Sequence, residues 1–202
     1  MKFVLLSLLT LFSCTKKDKK EDNTLSLSLS SGISTLDPAN CYDTVCSVPV
    51  SQVYETLFEM EYLKRPYTLR PLLAESFPTI SRDRKTYTFK IKKDIRYHDS
   101  EFLPAGRTLK AADFVNQIKR LAFLPTASQG WWLFDEKIKG LNDWRNSVGT
   151  DLEKFFKTDV PGLRVIDDHT FEIELIQPYP QLLYALAMNF TAPIPEEGIK
   201  GT

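Results

Sequence analysis

Residues 69–120 read LRPLLAESFPTISRDRKTYTFKIKKDIRYHDSEFLPAGRTLKAADFVNQIKR, and their periodicity decides the fold. A proline-bounded extended segment, 69–78, runs into a polar turn at Ser81–Lys85. Strict alternation follows, with Tyr87, Phe89 and Ile91 on one side and Thr86, Thr88, Lys90 and Lys92 on the other. A period of two marks a half-buried strand. Alternation resumes at Ile95 and Tyr97 and stops at His98-Asp99. The period then becomes helical: Ala111, Phe114, Val115, Ile118, Leu121 and Ala122 share one face of a helix predicted over 111–123.

Working outward, Leu25, Leu27 and Leu29 alternate through 24–30, which predicts the first strand. Asp37 and Pro38 predict a turn, since Pro38 fixes its own backbone and Asp37 can bond the chain locally. Pro49 is read as the first turn of a helix whose apolar stripe is Val50, Val53, Tyr54, Leu57 and Phe58. Phe134, Ile138 and Leu141 predict a short helix ending near Asn142, and 151–157 another, capped by Thr150 or Asp151. Residues 163–166 and 170–176 read as a hairpin that turns through 167–169, with Phe171, Ile173 and Leu175 facing the core. A last helix buries Leu182, Leu183, Leu186, Ala187 and Phe190, and Pro193-Ile194-Pro195 breaks it.

The phrases of the central stretch, taken in order, resemble the N-terminal part of the dipeptide- and oligopeptide-binding proteins of ABC importers, family 5 of the extracellular solute-binding proteins. The words L-x-P-x-L-A-E-S-W, D-G-x-T-Y-T-F-x-L-R, V-x-F-H-D-G and L-T-A-x-D-V have counterparts at 69–77, 83–92, 95–100 and 109–114. Leu36-Asp37-Pro38 and Tyr54-Glu55-x-Leu57 match two further words. Three departures stand out: Arg84 replaces the turn glycine, Ser100 replaces the glycine after His98-Asp99, and Lys110 replaces the helix-capping threonine. The resemblance implies an α/β fold of the type II periplasmic-binding-protein kind, two-lobed and present only in its N-terminal part. It divides the chain into a partial ligand-binding lobe, 24–40 and 163–202, and an added α/β subdomain, 41–162.

The resemblance also implies a ligand wall. In the family the segment before L-D-P lines the cleft, which names Gly32, Ile33 and Ser34; the alternative is a plain strand exit. Adjacent Trp131 and Trp132 fall in the neighbourhood where the family has cleft aromatics, with no residue-for-residue match, and they either wall a pocket or pack into the core. The implied partners are a dipeptide or oligopeptide and an importer permease. The chain stops before the second lobe of the family, so peptide affinity of the chain as written is expected to be millimolar or weaker.

The start of the chain reads as an export signal. Met1-Lys2-Phe3 leads into an apolar run to Phe12 that is too short to span a bilayer. Residues 1–13 read as a signal peptide, and Leu11-Phe12-Ser13-Cys14 resembles a lipobox that would place lipid on Cys14. Residues 14–23 then form a charged tether, Thr15–Asp22 being TKKDKKED. This sets the chain on the periplasmic side of the envelope, anchored in a membrane, with Thr15 favouring the outer one. Cys41 and Cys46 are either a local disulfide or two buried thiols.

Composition excludes several classes. Among 26 basic and 26 acidic residues the leader holds only Lys2, so the mature chain is close to neutral and carries no nucleic-acid footprint. The only histidines, His98 and His169, form no metal-ligand spacing, and neither a catalytic fingerprint nor a cofactor motif occurs. The chain is expected to be no enzyme and to need no cofactor. Three readings remain: peptide capture for an importer, a truncated or decayed copy without a competent cleft, or a lipid-anchored interaction protein reusing half the fold. The anchor is tested by fractionation. A Cys14→Ala chain is expected in the soluble fraction, and its retention with membranes would remove the lipobox reading.

Overall fold

The computed structural model describes residues 25–200. Residues 1–24, including Cys14, lie outside the described residues, as do 201–202. The chain divides into two units, 1–30 and 31–202. In the first, 25–30 form no strand, and Leu25, Leu27 and Leu29 are exposed. This corrects the expectation from alternation. Alternation supplies a face, but a strand also needs neighbouring backbone to pair with.

The second unit begins with helix α1 (Thr44–Val53), capped by Asp43, whose carboxylate accepts from the Val45 and Cys46 amides at 2.8 Å each. Pro49 therefore sits inside the helix and not in its first turn. The chain extends at Tyr54, and Val53 and Tyr54 are exposed, so the expected stripe breaks. Leu57 and Phe58 reach the core through a hairpin, β1 (Phe58–Met60) with β2 (Leu69–Pro71).

A four-stranded antiparallel sheet follows, built from β3 (Thr79–Ile80), β4 (Thr86–Lys90), β5 (Leu163–Asp167) and β6 (Thr170–Glu174) in the order β3-β4-β6-β5. As alternation predicts, Tyr87, Phe89, Phe171 and Ile173 are buried on one face. On the other face Arg164 reaches Glu172 at 2.9 Å and Glu174 at 2.8 Å. Because β6 lies between β4 and β5, the 163–174 hairpin and the central strand share one sheet, although the sequence division put them in different parts.

Helix α2 (Ala111–Ala122) packs on the buried face, where the Phe114 and Phe171 rings stack 5.6 Å apart. Helices α3 (Leu141–Val148) and α4 (Leu152–Lys157) follow, the second capped by Asp151 as expected. Residues 134–140 are not a helix, because Glu136 (φ 56°) and Gly140 (φ 71°) take left-handed conformations, and Leu141 instead opens α3; Phe134, Ile138 and Leu141 are buried nonetheless. The expected last helix is also shorter. α5 is Leu182–Ala185, and a 3-10 turn at Asn189–Thr191 forms where the Thr191 hydroxyl donates to the Met188 carbonyl at 2.9 Å. α6 (Glu196–Lys200) ends the described chain.

The turn between β3 and β4 explains one departure from the family words. Arg84 has φ 56°, a conformation that a glycine adopts without steric cost. Asp83 and Ser81 hold the turn, accepting from the Lys85 amide at 3.1 Å and the Thr86 amide at 2.9 Å. Arg84→Gly is expected to raise unfolding stability in urea by about 0.5–1 kcal/mol. A loss of stability would show that the arginine side chain contributes more than its backbone costs.

Candidate functional site

The Leu36-Asp37-Pro38 turn is the anchor of the candidate ligand wall. Arg120, near the end of α2, donates to Asp37 Oδ1 at 2.8 Å and Oδ2 at 2.6 Å. The same carboxylate accepts from the Ala39 amide at 3.0 Å. Burial alone would raise the Asp37 carboxyl, but the Arg120 hydrogen bonds and charge, with the Ala39 amide, outweigh it and hold the group below its ordinary range.

Two further bonds hold the chain next to the predicted ligand segments. Ser34 Oγ donates to Asp43 Oδ2 at 2.7 Å, tying 32–34 to the cap of α1. The Cys46 amide and the Ser34 hydroxyl hold the Asp43 carboxyl low. Cys41 and Cys46 are joined, with Sγ atoms 2.10 Å apart, across that helix start. Ser128, in the loop before the tryptophans, donates to the Ala39 carbonyl. A Cβ at Gly130 would meet the Phe190 ring at 2.6 Å, so only glycine lets that loop close on the core.

Gly32, Ile33 and Ser34 are exposed. Trp131 is half-buried against the core with the Arg145 guanidinium 4.9 Å over its ring, whereas Trp132 is exposed. The pair therefore divides between the two readings: Trp131 packs and Trp132 faces outward.

A groove lies elsewhere. A cleft of about 520 Å³ is lined by Tyr54, Leu73, Ile95, Tyr97, Leu109 and Pro193, with Glu55, Arg96 and His98 also along it. Every family word from Tyr54 to Leu109 except the β4 strand contributes to it, and neither 32–34 nor 131–132 does. Its Tyr97 belongs to a cluster that sequence reading missed. Arg107 Nη2 donates to Asp113 Oδ1 at 2.7 Å, Arg107 Nε to Glu197 Oε1 at 3.3 Å, and the Tyr97 hydroxyl to Asp113 Oδ2 at 3.1 Å. Asp113 also accepts from the Lys110 amide at 2.9 Å, which completes the helix start without a threonine. Burial and the Asp113 charge push the Tyr97 phenol above its ordinary range, so it remains a donor. Position was the one available signal: an aspartate three residues into an amphipathic helix suggests a cap, but nothing names Arg107 or Glu197 as its neighbours. Among the described residues no cluster of three or more metal-ligating side chains occurs.

A model of the bacterial extracellular solute-binding proteins, family 5, middle portion, matches residues 68–202. The chain belongs to that family. It is similar to the oligopeptide-binding protein AmiA of Streptococcus pneumoniae, 31% identical over 129 residues, covering 64% of this chain and 18% of AmiA. The periplasmic oligopeptide-binding protein OppA of Escherichia coli is 30% identical over 187 residues, covering 89% of this chain and 30% of OppA. Among solved structures, the substrate-binding domain of an oligopeptide ABC transporter from Bacillus anthracis superposes with a TM-score of 0.65 at 29% identity, covering 84% of this chain and 29% of that one. Listeria monocytogenes OppA bound to peptide superposes with a TM-score of 0.67 at 24% identity, covering 86% and 31%, and supports the fold alone. The chain thus spans under a third of the length of each of these four. The fold is the type II periplasmic-binding kind, present in part. All four are named for binding or transport, and none for a catalysed reaction.

The Asp37–Arg120 pair generates a pH prediction. The folded state holds the Asp37 proton less tightly than the unfolded chain does, so its contribution is present above the ordinary carboxylate range and lost as pH falls through it. Asp37→Asn is expected to cost about 2–3 kcal/mol near pH 7, since it leaves Arg120 without its carboxylate. The gap from wild type should narrow below about pH 4. A gap that is constant from pH 7 to 3 would assign the cost to packing.

Proposed function

We propose that this chain is the N-terminal portion of a lipid-anchored receptor that captures dipeptides or oligopeptides for an ABC importer on the periplasmic side of the envelope. The observation that carries the reading is the family match over 68–202, together with relatives named as oligopeptide-binding proteins. In this reading Gly32, Ile33 and Ser34 offer backbone groups to an extended peptide, and Trp132 offers a flat apolar surface to its side chains. The Asp37–Arg120 clamp and the Cys41–Cys46 bridge keep that wall rigid, which lowers the ordering cost of binding. In the same reading Cys14 supplies the anchor and an importer permease is the docking partner, and neither nucleic acid nor a cofactor takes part.

Because 32–34 and Trp132 are exposed, a peptide laid against them keeps much of its surface in water. Binding to residues 15–202 alone is therefore expected to be millimolar or weaker, about 4 kcal/mol at best. The test is titration of isotope-labelled protein with a mixed di- to pentapeptide pool, followed by amide and indole NMR shifts. Shifts confined to 32–34 and the Trp131–Trp132 loop, still rising at about 1 mM, are expected. Unchanged shifts at those residues would remove them from the site, and micromolar saturation would show that these residues suffice alone.

A further inference from the structure

The tip of the β1–β2 hairpin carries the largest concentration of exposed apolar side chains in the folded unit. Tyr62 is 85% exposed, Leu63 89% and Tyr67 57%, all within six residues. Isolated exposed apolar residues are ordinary on protein surfaces, but three at one tip, interleaved with Lys64 and Arg65, are not. The tip is also held in shape. Arg65 Nη1 donates to the Tyr62 carbonyl at 3.0 Å and the Lys64 carbonyl at 2.8 Å, and its guanidinium lies 4.1 Å over the Tyr67 ring. The Glu61 amide donates to the Thr68 carbonyl at 2.8 Å across the loop.

Charge is sorted along the hairpin. Lys64 pairs with Glu61, and Arg70 with Glu59, and in each pair the cation is the more exposed member: 63% against 27%, and 61% against 33%. The more exposed groups of the hairpin are therefore aromatic, aliphatic and cationic, and the acids are the less exposed partners. This is the chemistry that seats side chains at a membrane interface, where amphipathic rings lie at headgroup depth and basic groups meet anionic lipid. A chain that is neutral overall has no general attraction to such a surface, so this sorting is local.

We propose that the β1–β2 tip is a membrane contact that lays Tyr62, Leu63 and Tyr67 into the headgroup region of an anionic phospholipid bilayer. No helix among the described residues is long and apolar enough to cross a membrane, and the tip needs none: it lies on the surface. A lipid on Cys14 would keep the chain close to such a surface, and the tip would then fix which side of the protein faces it. The contact does not depend on peptide capture, so either idea can fail without the other.

The experiment uses the full chain carrying Cys14→Ala and Leu63→Cys, labelled at position 63 with an environment-sensitive fluorophore. A control carries the label at Leu152→Cys on α4. Vesicles contain phosphatidylglycerol, with or without nitroxide-labelled lipid, or phosphatidylcholine alone. With phosphatidylglycerol the label at 63 is expected to brighten, shift to the blue and be quenched by shallow nitroxides, while the label at 152 does not change. Lys64→Gln should weaken the response about fivefold, and so should Tyr62→Ser, which removes a side chain that is 85% exposed. An unchanged label at 63 with both lipids overturns the proposal, as does an equal response at 63 and 152. A response at 63 that appears only with membranes carrying envelope proteins assigns the tip to a protein partner and likewise overturns it.

Discussion

Helix α2 must satisfy polar side chains on a cylinder that is buried almost all round. Ala111, Phe114, Ile118, Leu121 and Ala122 face the core as the helical period requires, yet Asp113, Gln117, Lys119 and Arg120 are buried as well. A buried polar group without a partner costs several times what a made hydrogen bond contributes. Each of the four therefore dictates where another part of the chain must stand. Asp113 takes Arg107 and Tyr97, Gln117 takes the Phe190 carbonyl, Lys119 takes the Thr158 carbonyl, and Arg120 takes Asp37. One helix thereby places the loop after β4, the 3-10 turn after α5, the end of α4 and the turn before α1.

Lys119 shows how far that demand goes. Its ammonium lies 5.2 Å over the Trp144 ring and 4.8 Å over the Phe155 ring, and burial lowers it to about 8. Trp144 Nε1 donates to the same Thr158 carbonyl at 3.0 Å, so α3 and α4 close around one acceptor. These helices are short and would not persist alone. They are ordered by α2, and the candidate ligand wall is ordered by α2 through Asp37. A rigid frame and an exposed wall are thus two ends of one arrangement.

What could be read from the sequence follows from whether the signal is local. Tyr87–Ile91, Phe171–Leu175 and α2 were legible because burial repeats at two or 3.6 residues within one element. Read as a first-turn residue, Pro49 misplaces the start of α1, whereas Asp43 carries the two cap bonds. Leu25, Leu27 and Leu29 alternate as a strand does, yet pairing is a property of two segments and not of one. The disulfide alternative was local, five residues apart, and could at least be posed. Asp37–Arg120 and Arg107–Glu197 join residues 83 and 90 apart, and no spacing announces them.

The same distinction explains why the family is legible and the ligand is not. The family words hydrogen-bond to one another in succession. The Leu72 and Ala74 amides donate to the Leu57 carbonyl at 2.9 and 3.1 Å, the Lys92 amide to Leu73 at 2.9 Å, and the Leu109 amide to Ile95 at 2.8 Å. The words from Tyr54 to Leu109, all but that of β4, line one groove, and Tyr97 joins that lining to the Arg107–Asp113 cluster. Their residue types are fixed by mutual packing, which any member of the fold must reproduce whatever it binds. The candidate ligand residues Gly32–Ser34 and Trp132 line no part of that groove and are exposed, with Ser34 bonded to Asp43. Positions free of packing can vary with the ligand, so the words that identify the family are the ones least able to name what it carries.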